Sequence, residues 1–356
     1  MNCLQASSRK FLIFSLLMAC LVVLNVASVE AGSIKLKYSD HDPPNGMRTG
    51  FVEKVWLQEI QNQLGDKVKI QDFWGGTLLG AKEILKGVGD GVTQMGFVYP
   101  GHYPGQMPAH TIFKLFPRGP VKFEDMIWFY RTVYKEVPEF EAELKKANVM
   151  TMVFTAGLPG AFVGKNPLNS LADIKGEKWR AGDKWSLRFL ENVGASPVSV
   201  PWGDVYMSLQ TGTIDGCFTN YDGLHLMKFD EVAPHLLVSK SLWYGMPFLH
   251  MINRSTFEKL PQDVQAGLLK ASEIAEQKFA KVYDEAFDQI KAEEIAAGAQ
   301  VTELSTADID QWADADNLAK LQAVWVKEAE DAGLKTAATV LEKVKAIHQR
   351  AMAREL

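Results

Sequence analysis

Cysteine is nearly absent from this chain of 356 residues: Cys3, Cys20 and Cys217 are the only three. The first two fall in an N-terminal stretch with the three parts of a secretory signal. Arg9 and Lys10 precede an uncharged apolar run over 11–26, and the small residues Val29 and Ala31 stand at its exit. That run of 16 residues is shorter than the ~20 needed for a stable membrane span. Residues 1–31 are therefore expected to be a signal peptide cleaved after Ala31, placing the mature protein in the periplasm. Leu17-Met18-Ala19-Cys20 offers a lipid-attachment alternative, but apolar chain follows at 21–24 where a polar tether is expected. After cleavage only Cys217 remains and no intrachain disulfide can form. Such a protein must rely on its core, and a chain near 300 residues buries about three quarters of its unfolded surface.

Basic excess is absent too. The formal net charge is −5, and loss of Arg9, Lys10 and Glu30 makes it −6, with no basic run; nucleic acid is excluded as a partner. The chain has no G-x-S-x-G elbow, no phosphate-cradling G-x-x-x-x-G-K-[ST] loop and, among its seven histidines, no H-E-x-x-H spacing. Asp40, His41 and Asp42 are adjacent, and neighbours in sequence rarely converge on one ion. Cys217 has no histidine close in sequence and sits in a run that reads as a buried strand, where a thiol is inert. The expectation is a protein that is not an enzyme and holds no metal or cofactor. Repeats and low-complexity segments are missing as well.

What is present is an alternation of short apolar runs with amphipathic helices, the pattern of α/β architecture with buried parallel strands. Strands are expected at 34–39, 68–73, 94–99 and 149–155. Between them helices are expected at 46–64, with Phe51, Val55, Trp56 and Ile60 on one face, at 79–88, and at 123–147 with an interruption near Pro138. After Gly157-Leu158-Pro159-Gly160 the alternation restarts: strands to 164 and at 178–181, 197–200 and 214–219, helices at 184–193 and 203–211. The apolar stretch 237–253 is long enough to pass from one sheet into another. Residues 261–297 read as one helix of roughly 55 Å at 1.5 Å per residue, too long for a single small lobe. Two lobes joined by several crossings predict a cleft that opens and closes. Residues 308–351 read as helical, with Trp312, Leu318, Leu321, Trp325, Leu341 and Val344 as a packing face.

Within the second half, Gly176 to Gly216 delivers one cationic strand residue, Arg180, into an apolar, tryptophan-rich setting. A guanidinium offers a planar fork that matches both oxygens of a carboxylate, which the point charge of lysine does not. From the residues alone, a structural salt bridge at a strand end competes with capture of a small carboxylate.

Three segments carry a family resemblance. They are Gly76-Thr77-Leu78-Leu79-Gly80; Leu171-Ala172-Asp173-Ile174-Lys175-Gly176-Glu177-Lys178-Trp179-Arg180; and Gly194-Ala195-Ser196-Pro197-Val198 followed by Pro201-Trp202-Gly203-Asp204-Val205-Tyr206-Met207-Ser208-Leu209-Gln210-Thr211-Gly212-Thr213-Ile214-Asp215-Gly216. In this order and spacing the chain resembles the DctP-like solute-binding subunits of tripartite ATP-independent periplasmic (TRAP) transporters over essentially its whole mature length. The resemblance implies a two-lobe periplasmic-binding-protein (Venus-flytrap) α/β fold with a long helix crossing both lobes. Lobe I would comprise 32–155 plus 246–287, and lobe II 156–245 plus 288–356. It further implies a receptor, expected to act as a monomer, that encloses one small organic acid and presents it to the small and large membrane subunits of a permease. A receptor for an ATP-driven importer of the ABC type is the rival reading.

On the same resemblance Arg180 is the carboxylate anchor and Trp202 a pocket-lining ring able to stack on a flat ligand. Tyr99 stands where sialic-acid binders of the family carry an acidic residue, which argues against a sugar acid. Thr219 or Asn220 replaces the amide that relatives place in a Glu-Asn-Pro end of the Asp-Gly strand. Trp74, Trp185, Trp243 and Tyr244 are further aromatic candidates. His41, in the loop after the first strand, sits where ligands of open α/β sheets bind, and Asp40 or Asp42 there is placed to meet an amino group. Trp179 alternates with Arg180 and is expected in the core. The second arginine that several relatives carry after the first crossing is missing, since 156–165 contains none. The expected ligand is therefore a monocarboxylate with an aromatic or apolar body, an aromatic amino acid or an aryl or indolyl acid. The alternative is a C4-dicarboxylate or another small acid.

Overall fold

A computed structural model describes residues 32–354; the expected signal peptide and its cleavage point lie outside the described residues. Eleven strands form two sheets among the described residues. The first holds β1 (Ile34–Ser39), β2 (Val68–Phe73), β3 (Met95–Val98), β4 (Val149–Ala156) and β10 (Pro247–Asn253), in the order β2-β1-β3-β10-β4. The second holds β5 (Gly160–Gly164), β6 (Lys178–Ala181), β7 (Ser196–Val198), β8 (Gly216–Asn220), β9 (His235–Val238) and β11 (Gln300–Glu303), in the order β11-β9-β5-β8-β6-β7. The result is the two-lobe α/β fold expected. The sheets are mixed, however, not purely parallel. β10 runs antiparallel to β3 and β4, and β5 antiparallel to β8 and β9, because each of these strands enters its sheet directly from the other lobe. The apolar stretch 237–253 divides accordingly into β9 and β10, one in each sheet.

Two helices depart from expectation for local reasons. Between Met47 and Leu64 the backbone is α-helical except for a π-helical segment, Val52–Trp56. The widened turn rotates the apolar face, so Phe51, Val52, Trp56 and Ile60 are buried and Val55 is only partly so. The expected helix at 79–88 starts only at Ile84. Its first residues form turns, with the Gly80 amide donating to Glu83 Oε2 at 2.9 Å. Tyr103 Oη donates to the Ala81 carbonyl at 2.6 Å and accepts from the Leu85 amide at 3.2 Å.

The long helix, Gln262–Ala297, has 36 residues and is ~54 Å in length. Its buried positions run from Val264 to Glu294, so both lobes lean on it. At the first lobe Trp56 donates to Ser272 Oγ at 3.1 Å and Phe51 meets Phe279 edge-on at 4.8 Å. At the second lobe Tyr221 meets Phe287 at 5.1 Å. The C-terminal helices pack back on the lobes: Trp312 stacks on Phe189 at 5.2 Å, and Trp325 donates to Thr111 Oγ1 at 3.0 Å.

Near the far end of the long helix His225 is held between two carboxylates, Nδ1 to Glu294 at 2.7 Å and Nε2 to Glu293 at 3.2 Å. The Glu294 hydrogen bond raises the pKa of His225. Burial, then Glu294, raises the carboxyl of Asp230 to about 6. Both groups bind protons more tightly folded than unfolded, so both contribute stability on the acid side. The Asp230 contribution fades as pH rises from about 4 towards 6; that of His225 is complete below about 6.5 and is lost as pH passes its raised value. Histidines buried in the neutral form, His102, His250 and His348, gain stability over the same range, so the His225 contribution is read as a difference: His225→Gln is expected to lower the melting temperature more at pH 6 than at pH 8. An equal effect at both pH values in a thermal-unfolding series would show that protonation of His225 is not a source of stability.

Candidate ligand-binding cleft

The motif residues build the strand that carries Arg180. Asp173 caps its turn by accepting from the Asn169 and Ser170 amides at 2.7 and 2.9 Å. Gly176 turns the chain with φ of 80° and donates to the Gly194 carbonyl at 2.8 Å. Asp215 accepts from the Lys178 amide at 2.8 Å, pinning β6 beside β8. Trp179 then points into the core, fully buried, and its indole lies so close to Gly216 that a Cβ there would sit 2.4 Å from the ring. Hence the Asp-Gly pair. Strand alternation sends the next side chain, Arg180, to the opposite face.

That face is one wall of a cleft between the lobes, with about 570 Å³ of space counted out to its open mouth. Of the residues singled out from sequence, Arg180, Trp202, Tyr99, Thr219, Asn220 and His41 all line it. Arg180 is 3% exposed. Its Nε donates to the Val200 carbonyl at 3.0 Å, Nη1 makes a long 3.9 Å contact with Cys217 Sγ, and its Cζ stands 5.3 Å from the Trp202 ring. Among the described residues it forms no salt bridge.

A second guanidinium, Arg48, also reaches the cleft, and nothing in its local sequence signalled it. Its charge is fully engaged. Nη1 and Nη2 donate to Asp40 at 2.6 and 3.0 Å, Nη2 also to Asp42 at 2.6 Å, and Cζ lies 3.6 Å over the Phe97 ring. Burial works against its charge, but Asp40 and Asp42 outweigh that and hold it cationic. Of the two acids expected to be placed for a ligand amino group, Asp40 is completely buried behind the cleft and bound by Arg48, while Asp42 lines the cleft with Oδ2 on Arg48 and Oδ1 on Trp202.

Asp222 differs. It is buried, lines the cleft, and accepts on Oδ1 from the Leu158 amide at 2.7 Å and from Asn220 Nδ2 at 2.8 Å. No salt bridge reaches it among the described residues, and burial raises its pKa. Asn220 in turn accepts from Thr219 Oγ1 at 3.0 Å. His102, between the two lobes, is kept neutral, its pKa pushed down to about 3 by burial and by the neighbouring His41 and Arg180.

Two hydrogen bonds span the cleft. Trp202 Nε1 donates to Asp42 at 2.8 Å, and Tyr99 Oη to Asp183 at 3.0 Å. Asp183 also caps the helix Lys184–Asn192 and lies 3.5 Å from Lys114 Nζ. Burial lowers the pKa of Lys114 to about 8 despite Asp183. Tyr244 completes this corner, its hydroxyl 3.3 Å from that of Tyr99 and its ring 3.1 Å from Lys114 Nζ.

Three expected aromatics lie elsewhere. Trp243 is buried against Tyr130 and Phe129, with its ring over Gly119; in extended chain it faces opposite to its neighbour Tyr244, which does line the cleft. Trp185 is buried in the first turn of its helix. Trp74 packs on Tyr38 at 5.5 Å and donates to Asp72. No group of three or more metal-ligating side chains occurs among the described residues. The Cys217 thiol is buried, and burial raises its pKa.

The family described as bacterial extracellular solute-binding protein, family 7 (DctP), matches residues 39–328. The chain belongs to this family. Among DctP-family relatives, the C4-dicarboxylate-binding periplasmic protein DctP of Vibrio cholerae is 24% identical over 353 residues, covering 91% of this chain and 94% of its own length. Two solved TRAP solute-binding proteins share the fold. One, from an unidentified marine microbe, is specific for aromatic acid ligands and was solved with 3-hydroxybenzoate. Its TM-score is 0.78 at 21% identity, over 90% of this chain and 99% of that one. The other, from Desulfovibrio salexigens with bound orotic acid, has a TM-score of 0.79 at 20% identity, over 90% and 100%. This chain is thus a bacterial extracellular solute-binding protein of the DctP family, with the two-lobe fold of the solved TRAP solute-binding proteins.

Proposed function

We propose that this chain is the periplasmic receptor of a TRAP transporter, exported by cleavage after Ala31, and that it closes on a small monocarboxylate with an aromatic or apolar body. The observation that carries the reading is Arg180, a buried guanidinium at a cleft wall with no salt bridge among the described residues. A ligand carboxylate supplies the missing counter-charge in a two-oxygen fork. The rings of Trp202, Tyr99 and Tyr244, which line the cleft, supply aromatic surface for the ligand body. Dicarboxylates fit less well. The second cation, Arg48, is spent on Asp40 and Asp42, so a second carboxylate would enter beside Asp42 and Asp222 with no free positive charge to meet it.

Ring-bearing acids in two fold neighbours, 3-hydroxybenzoate and orotic acid, are consistent with this reading. The closed receptor would then dock on the small and large membrane subunits of its permease. Calorimetric titration with aromatic amino acids, aryl and indolyl acids, succinate and malate tests the ligand class. Micromolar or tighter binding is expected for at least one aromatic monocarboxylate and none for the dicarboxylates. Tight succinate or malate binding with no aromatic ligand would overturn the proposal.

A further inference from the structure

We propose that Asp222 is a specificity-determining residue, the negative pole of the site, and that it selects ligands carrying an ammonium group close to the carboxylate held by Arg180. The inference rests on the reading of the cleft as a monocarboxylate site and narrows the ligand to an α-amino acid with an aromatic or apolar side chain.

Five charged side chains bear on ligand choice, Asp42, Arg48, Arg180 and Asp222 lining the cleft and Asp40 buried behind them, and they divide unevenly. Arg48, Asp40 and Asp42 are bound to one another at 2.6 to 3.0 Å, a hydrogen-bonded cluster of net charge −1 with no free cation. Arg180 and Asp222 remain, one of each sign, both buried and neither in a salt bridge among the described residues. They come from neighbouring strands of one sheet: Arg180 pairs in register with Cys217 on β8, and Asp222 follows the end of that strand in the helix Tyr221–Leu226. Both hydrogen bonds that other residues give Asp222 land on Oδ1, leaving Oδ2 for a donor from the cleft. The Leu158 amide and Asn220 fix the carboxyl in place, which is what a recognition group needs and a solvated surface acid lacks.

A buried carboxylate without a cation is costly. Burial accordingly biases Asp222 towards its proton-bound form. A zwitterionic guest removes both costs together, its carboxylate meeting Arg180 and its ammonium meeting Asp222. A plain aryl acid neutralises only Arg180 and leaves Asp222 in its unfavourable setting.

The test compares ligands that differ only in the amino group: phenylalanine against 3-phenylpropionate, and tryptophan against indole-3-propionate, titrated calorimetrically into the wild-type protein and into Asp222→Asn. Asparagine keeps the acceptor for the Leu158 amide, and a thermal melt verifies that the variant is folded. The wild type is expected to prefer the amino acid of at least one pair by about tenfold to a hundredfold, the worth of a charge-assisted hydrogen bond. Asp222→Asn should remove most of that preference while the des-amino acid binds as before or more tightly. The wild-type comparison needs no variant and can overturn the proposal by itself, while Asp222→Asn assigns the preference to Asp222 and not to Asp42; a preference that survives Asp222→Asn overturns the role of Asp222. Equal or tighter binding of both des-amino acids overturns the role of Asp222 and leaves the monocarboxylate reading standing. Binding of no member of either pair overturns both.

Discussion

Arg180→Met is expected to weaken ligand binding by about a hundredfold to a few thousandfold, the consequence of stranding a buried carboxylate without its partner, about 3 to 5 kcal/mol. The same variant should melt, unliganded, at about the temperature of the wild type or slightly above. In the free protein Arg180 gives one hydrogen bond to the Val200 carbonyl and has no salt bridge among the described residues. Removing it forfeits about 1 kcal/mol of hydrogen bonding and releases the cost of a lone buried cation. Arg180→Lys should fall between, because it keeps a charge but not the fork. Calorimetry and a thermal melt on the same samples separate the two effects. A large loss of unliganded stability with little change in affinity would mean that Arg180 is a structural residue.

Arg48→Ala should show the opposite signature. Asp40 is completely buried and Asp42 largely so, and both depend on the guanidinium. Taking it away leaves buried carboxylates uncompensated, at a cost of about 3 to 5 kcal/mol. The lost stacking over Phe97 adds to that. For a protein of this size the melting temperature should drop by on the order of 10 °C. Combining it with Asp40→Asn should recover part of the loss, since an amide is far less costly to bury than an unpaired charge. Thermal unfolding of the two variants checks this, and a drop of only a degree or two for Arg48→Ala would show that the cluster is not a stability element. On the proposed function, the two arginines of one cleft divide the work: one holds the wall together and the other binds the ligand.

The strands and the long helix were legible because their apolar periodicity is local, and the Lys-Gly-x-Lys-x-Arg segment was legible because its spacing is. The motif's Asp173, Gly176 and Asp215 prove to be the residues that orient β6, which is why the pattern points to Arg180. Arg48 and Asp222 were missed for a physical reason. Each lies in a short helix whose sequence looks like any other, and what distinguishes them is whether a partner of opposite sign stands across the fold. Trp243 and Tyr244 show the same limit from the other side. Adjacent aromatics in extended chain carry equal weight in sequence, yet one ring turns to the core and the other to the cleft. The π-helical turn at Val52–Trp56 shifts a helix face by a mechanism that simple 3.6-residue periodicity does not register. The mixed sheets reflect strands arriving from the opposite lobe, a long-range property.

A crystal structure of the protein with the tightest ligand from the titration series is the most direct test. The carboxylate should lie in a two-oxygen fork about 2.7 to 2.9 Å from the Arg180 guanidinium, with Arg48 still bound to Asp40 and Asp42. A carboxylate seated on Arg48, or an Arg180 side chain bonded only to protein atoms, would contradict the account.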